Sequence, residues 1–134
     1  MKVVLDSNVL VSAFTTRGLC ADVMRLVLAE HELLTLSPIV REVTRVLTRK
    51  LRVPSGTVEE IAGFLNGYVT TAPARPRAHI KLRDPDDAII LEAAIAVGAD
   101  VLVTGDRDFL DAQGVPGLLI VDPRGFRTLI ARKD

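Results

Sequence analysis

Residues 2–8 read KVVLDSN, three apolar side chains running without polar alternation straight into a carboxylate. A strand with one wet face alternates apolar and polar residues, so Val3, Val4 and Leu5 predict a short strand buried on both faces, as in a parallel sheet. Such a strand needs cover on both sides. Its carboxyl end presents Asp6, and in open α/β sheets that end is where ligands gather. Asp6 also stands where it can cap the next helix, so this stretch alone leaves both roles open. Ser7 and Asn8 supply short polar groups beside it.

Comparable runs recur at Leu33 to Leu36, Ala99 to Val103 and Leu118 to Val121, with helical patterns between them. Val9 to Phe14 predicts a short apolar helix, broken by TTRG. Cys20 to Glu30 predicts a second, with Val23, Met24, Leu26, Val27 and Leu28 inward. Ser37 at the N-cap and Pro38 at the first helical position open a helix to Lys50. Its stripe is Ile39, Val40, Val43, Val46 and Leu47, and Glu42 lies half-buried at the stripe's edge. Thr57 to Gly67 predicts a helix with Val58, Ile61, Phe64 and Leu65 inward, followed by a short strand from Tyr68 to Ala72 and a surface loop, PARPRAHIK, over residues 73–81. Ala88 to Gly98 is apolar nearly all round except for Glu92, which suits burial against a sheet or a subunit interface. Asp122-Pro123 opens a terminal helix through Ile130. With 134 residues, 49% of them hydrophobic, one core is expected. The pattern therefore predicts an α/β fold, one domain over 1–134, with a mostly parallel central sheet flanked by helices on both faces.

Seventeen basic residues balance seventeen acidic ones, so bulk charge gives no attraction to nucleic acid and any such contact must be local. Arg17, Arg41, Arg45, Arg75 and Arg77 are the candidate phosphate contacts. Five scattered aromatics argue against a base-stacking platform. Cys20 is the only cysteine, which excludes an internal disulfide and a cysteine-rich zinc site and suits a reducing compartment, with cytoplasm expected. No apolar run reaches the roughly 20 residues of a membrane span. Neither phosphate-cradling glycine motif, G-x-x-x-x-G-K-[ST] or G-x-G-x-x-G, occurs.

Four acids fall where the fold would bring them to one sheet edge: Asp6 and Asp106 past strand ends, Glu42 near a helix start, and Asp87 in the first turn of a buried helix. Carboxylates gathered there repel one another and lose hydration, so the group calls for cations. Hard oxygens without Cys or His at ligand spacing point to Mg²⁺ or Mn²⁺, and such a site suits metal-assisted phosphodiester hydrolysis. His31 and His79 are isolated. Among the other acids, Asp86 reads as an N-cap, while Asp84 and Asp122 read as turn residues before Pro85 and Pro123. Asp108 reads as the cap of a turn over 109–112 or as an outer ligand. Two rivals exist at this point. A strand-end Asp also presents aspartyl phosphotransfer nucleophiles, although Asn8 stands where that motif wants a second acid; alternatively, the acids are only caps on a non-catalytic interaction module.

The segments VVLDSNVLVSAF, SPIVREVTRVL, RDPDDAIILEAAIAVGADVLVTGDRDF and LLIVDPRGF, taken in order, resemble the PIN-domain family, in particular the VapC-like toxins of type II, VapBC-type toxin–antitoxin pairs. The resemblance implies a Mg²⁺- or Mn²⁺-dependent endoribonuclease, in which Asp6, Glu42, Asp87 and Asp106 hold the metal and Ser7, Asn8 and Thr104 support them. Asp108 also falls on an acidic position of many relatives. It further implies an RNA substrate, a homodimer, and a cognate antitoxin whose Arg enters the acid group. A PIN nuclease of RNA processing outside any toxin–antitoxin pair is the alternative within the family.

Overall fold

The computed structural model describes residues 1–71, 84–111 and 117–133. Four strands, β1 (Lys2–Leu5), β2 (Glu32–Leu34), β3 (Val101–Val103) and β4 (Leu119–Val121), form one sheet in the order β2-β1-β3-β4. Every pairing is parallel, with Val3 between Leu33 and Val101. Val3, Val4 and Leu5 are fully buried. Because successive strand residues point to opposite faces, this burial means that both faces of the sheet are covered, as the lack of alternation requires.

The order has a functional consequence. From β1 the chain moves to β2 on one side, then returns to place β3 on the other side of β1. The crevice outside the carboxyl ends of β1 and β3 is thus a topological switch point, where doubly wound sheets bind ligands. Asp6 follows β1, and Thr104 to Asp106 follow β3.

The helices are α1 (Ser7–Thr15), α2 (Leu19–Glu30), α3 (Ser37–Arg45), α4 (Ser55–Asn66), α5 (Pro85–Ala96), α6 (Arg107–Leu110) and α7 (Pro123–Lys133). α2 packs on α1, α7 and β2, while α3 packs on α1 and α4. Val46–Lys50 continues α3 as a π-helical turn, closed by the Leu51 N–H on the Val46 carbonyl. That widened turn is not legible in the residue pattern. Among the described residues no helix is long and apolar enough to cross a membrane.

Several local expectations are corrected. The position before α3 is Leu36, with no side-chain cap, so Ser37 does not cap it. Leu36 is held in the core, and Pro38 removes one donor that would need a partner. Asp84, not Asp86, caps α5: its Oδ1 accepts the Asp86 N–H at 2.9 Å. Pro85 has no N–H, so the first donor within reach belongs to the residue after it. Leu28 and Phe64 are exposed rather than inward. Phe64 instead lies edge-on to Phe14 and beside Tyr68, an apolar cluster at the surface. The short strand after α4 reduces to one bridge, Thr35 to Val69. The loop at 73–81 lies outside the described residues. α5 buries Leu91 and Ala94 fully and leaves Ile89 exposed, so it is not enclosed all round.

α5 ends on Gly98, whose φ of +81° is in the left-handed region. The Ala99 N–H bonds the Ala94 carbonyl and the Gly98 N–H that of Ile95, both at 3.0 Å, the paired bonds of a Schellman ending. This turn aims the chain into β3. Gly98→Ala is expected to lower stability by about 1 kcal/mol, read as a shifted urea midpoint with an unchanged slope, because no neighbour hinders a Cβ and backbone strain alone acts.

Candidate active site

Asp6 is the N-cap of α1 and only 5% exposed. Its backbone N–H continues the sheet ladder onto the Val103 carbonyl at 2.9 Å, which fixes the carboxylate above the β1–β3 junction. Three donors converge on it. The Ser7 N–H reaches Oδ1 at 2.8 Å, while the Thr104 hydroxyl at 2.8 Å and the Asn8 amide at 3.1 Å both reach Oδ2. The direction of each bond is set from behind. The Gly105 N–H donates to Asn8 Oδ1, which turns the Asn8 amide nitrogen toward Asp6. The Asp106 N–H donates to Thr104 Oγ1, leaving that hydroxyl's proton for Asp6. Thr104 is fully buried beneath the site. The network ties the end of β1 to the end of β3 and leaves lone-pair capacity on Asp6 Oδ1.

Asp106 caps α6, its Oδ1 accepting the Asp108 N–H at 2.9 Å. The cap of this turn is therefore Asp106 rather than Asp108, because the acid directly before the helix reaches the free N–H two residues on. Glu42 is half-buried, with its side chain 42% exposed, and both of its oxygens face Arg45.

One cavity of about 670 Å³ brings these groups together. Asp6, Glu42, Asp87 and Asp106 all line it, with Ser7, Asn8 and Asp108 beside them. Arg41 and Arg45 form its α3 wall. Arg17 lies in the α1–α2 loop away from it, and Arg75 and Arg77 lie outside the described residues. Asp84 and Asp86 also line the cavity, which their place at the start of α5 beside Asp87 could have signalled.

Electrostatics mark the same place. Burial pushes the Asp6 carboxyl above its ordinary value, against the Thr104, Ser7 and Asn8 hydrogen bonds, and Asp106 pushes it further the same way. Asp87 is raised from 3.8 to about 6, first by desolvation and then by the charges of Asp84, Asp106, Asp6 and Asp108. Carboxylates that raise one another in a shared cavity form a region that a cation would relieve. The acids ring the cavity rather than closing on one point: among the described residues no three metal-binding side chains gather tightly enough to grip an ion unaided. The donor chemistry nonetheless fits a hard divalent cation, since the lining among the described residues supplies carboxylate oxygens and neither Cys nor His.

The chain is similar in fold to one in the crystal structure of VapBC2 from Rickettsia felis bound to a DNA fragment from their promoter. The TM-score is 0.61 at 15% identity, over 90% of this chain and 97% of that one. No curated protein matches the sequence significantly. The PIN domain family model matches residues 2–108, a span that runs from β1 through the acids of α3, α5 and α6, and on that match the chain belongs to the PIN domain family.

Proposed function

We propose that the whole chain, 1–134, acts as one Mg²⁺- or Mn²⁺-dependent endoribonuclease of the VapC type, paired with an antitoxin. The observation that carries the reading is that Asp6, Glu42, Asp87 and Asp106, four acids from separate elements, line one cavity at the switch point of the sheet. Membership of the PIN family and the likeness in fold to a VapBC2 chain support it. Asp6, Asp87, Asp106 and Glu42 would hold the cation. When bound, the ion would supply an activated water and neutralise charge building on the phosphorus oxygens.

The chain's own residues set the terms of that chemistry. Thr104, Asn8 and the Ser7 N–H aim Asp6 and favour its ionised form against the opposing effect of burial, and Oδ1 keeps lone-pair capacity. Asp106 is fixed by its bond to the start of α6. Asp87 is partly exposed at the first turn of α5. Ser7, Asn8, Thr104 and Asp108 act as supports. The exposed Ile89 on α5 suits a homodimer contact, and an antitoxin Arg entering the cavity would satisfy the same acids.

The test is cleavage of single-stranded RNA by the purified chain, with and without Mn²⁺, beside Asp106→Asn. Asn retains the cap on α6, so the variant folds. Cleavage that requires Mn²⁺ and falls about a hundredfold or more in Asp106→Asn is the expected result. Equal cleavage by both proteins would refute the assignment.

A further inference from the structure

The α3 wall of the cavity carries an ion pair between Glu42 and Arg45. Arg45 Nε donates to Glu42 Oε2 at 3.1 Å and a terminal guanidinium nitrogen donates to Oε1 at 2.6 Å, so both carboxylate oxygens are taken. A two-toothed grip of this kind fills the positions of Glu42 that face the fork and sets a positive charge beside it, so a cation approaching Glu42 competes with Arg45. The pair is an exposed one between residues three apart, and such pairs contribute little and exchange readily. It stands at a charged place: among the described residues, seven acids and two cationic side chains, Arg41 and Arg45, line the cavity. Among the described residues, the α3 wall is the part of the lining that attracts a phosphodiester. Arg41 is one turn before Arg45, on the same side of the helix, and has no carboxylate partner among the described residues.

We propose that Arg45 is a positioning residue with two successive partners: it occupies the Glu42 carboxylate until a divalent cation displaces it, and the freed guanidinium then takes a phosphate of the RNA backbone beside Arg41. This rests on the metal-dependent nuclease reading. No bond is made or broken in the exchange; Glu42 passes from a guanidinium to the cation, and Arg45 passes from a carboxylate to a phosphate. The exchange moves the acidic cavity toward charge balance, because the arriving cation offsets part of the carboxylate charge and the freed guanidinium meets the arriving phosphate. Site readiness and substrate grip become linked events.

The experiment is Mn²⁺ titration by calorimetry on the wild type, R45Q and R41Q, followed by anisotropy with a labelled, uncleavable phosphorothioate oligoribonucleotide of mixed sequence. Both arginines are exposed, so neither change touches the core. R45Q is expected to bind Mn²⁺ about three- to tenfold more tightly, having lost both the competitor for Glu42 and a nearby positive charge. R41Q is expected to stay within about twofold of the wild type, since it blocks no ligand. Both variants are expected to bind the oligonucleotide about tenfold more weakly when Mg²⁺ is present. Unchanged or weaker Mn²⁺ binding by R45Q overturns the proposal while wild-type binding leaves the nuclease reading standing. Equal tightening in R41Q and R45Q overturns it too, by assigning the effect to net charge. Oligonucleotide binding undiminished in R45Q removes the second partner. Absence of Mn²⁺ binding in all three proteins defeats the nuclease reading itself, and this proposal with it.

Discussion

Asp87→Asn is expected to give a protein that is more stable than the wild type at neutral pH and about a hundredfold or more less active. The two effects have one source. Asp87 is raised from 3.8 to about 6 by desolvation and by Asp84, Asp106, Asp6 and Asp108, so its ionised form is disfavoured in the fold. Between those values the native state binds more protons than the unfolded chain, and stability therefore falls as pH rises from about 4 to 6 and levels off above. Asp87 is partly exposed, and screening by water holds the effect to about 1 kcal/mol. Asn removes that charge. The variant's stability should be flatter over this pH window and higher at pH 7 by about that amount. The same substitution takes away a ligand of the proposed metal site, so Mg²⁺ or Mn²⁺ should raise the melting temperature of the wild type and leave that of Asp87→Asn nearly unmoved. Urea denaturation at several pH values, with metal and with a chelator, checks both halves. A variant that loses stability at pH 7 would show that Asp87 serves the fold rather than the site.

Thr104→Val is expected to be the most destabilising conservative change at the site. The side chains are nearly equal in size, and Thr104 is fully buried, so packing is conserved. What goes is the donor to Asp6 Oδ2 at 2.8 Å and the acceptor for the Asp106 N–H at 3.0 Å. A buried carboxylate loses a bond and a partly buried N–H loses its partner, together about 2–3 kcal/mol. For a chain of this length the melting temperature should fall by about 8–10 °C. Thr104→Ser restores the hydroxyl and should recover most of the loss. Thermal melts followed by circular dichroism decide it, and a Thr104→Val protein as stable as the wild type would mean that the network carries no stability.

The same network explains why Asp6→Asn is a poor probe of chemistry. A protonated Asp6 can turn its hydrogen to the free side of Oδ1 and still accept from Thr104, Asn8 and Ser7. An amide nitrogen cannot accept at all, so either Oδ2's two donors or the Ser7 N–H is left facing another donor. Loss of activity in that variant would mix chemistry with misfolding. Asp87 and Asp106, whose replacement by Asn leaves local bonding intact, separate the two.

Much of this molecule is legible along the chain. Unalternating runs at Val3 to Leu5 and Val101 to Val103 require two covered faces, and only a parallel sheet wrapped in helices provides them; this local rule needs no knowledge of distant residues. Asp6 and Asp106 follow directly, since a residue after a strand is carried wherever that strand ends. What the sequence could not decide is everything that depends on two segments meeting. Whether Asp84 or Asp86 caps α5 turned on the N–H that Pro85 lacks, and whether Leu28 and Phe64 point inward turned on which neighbours lie against α2 and α4. Asn8 and Thr104 are 96 residues apart, yet tertiary packing alone makes them joint supports of one carboxylate. Apolar pattern and turn chemistry act over a few residues and can be read from spacing. Hydrogen-bond direction around Asp6 and the mutual repulsion of the acids depend on distances through space, and these exist only once the β1–β3 junction has formed.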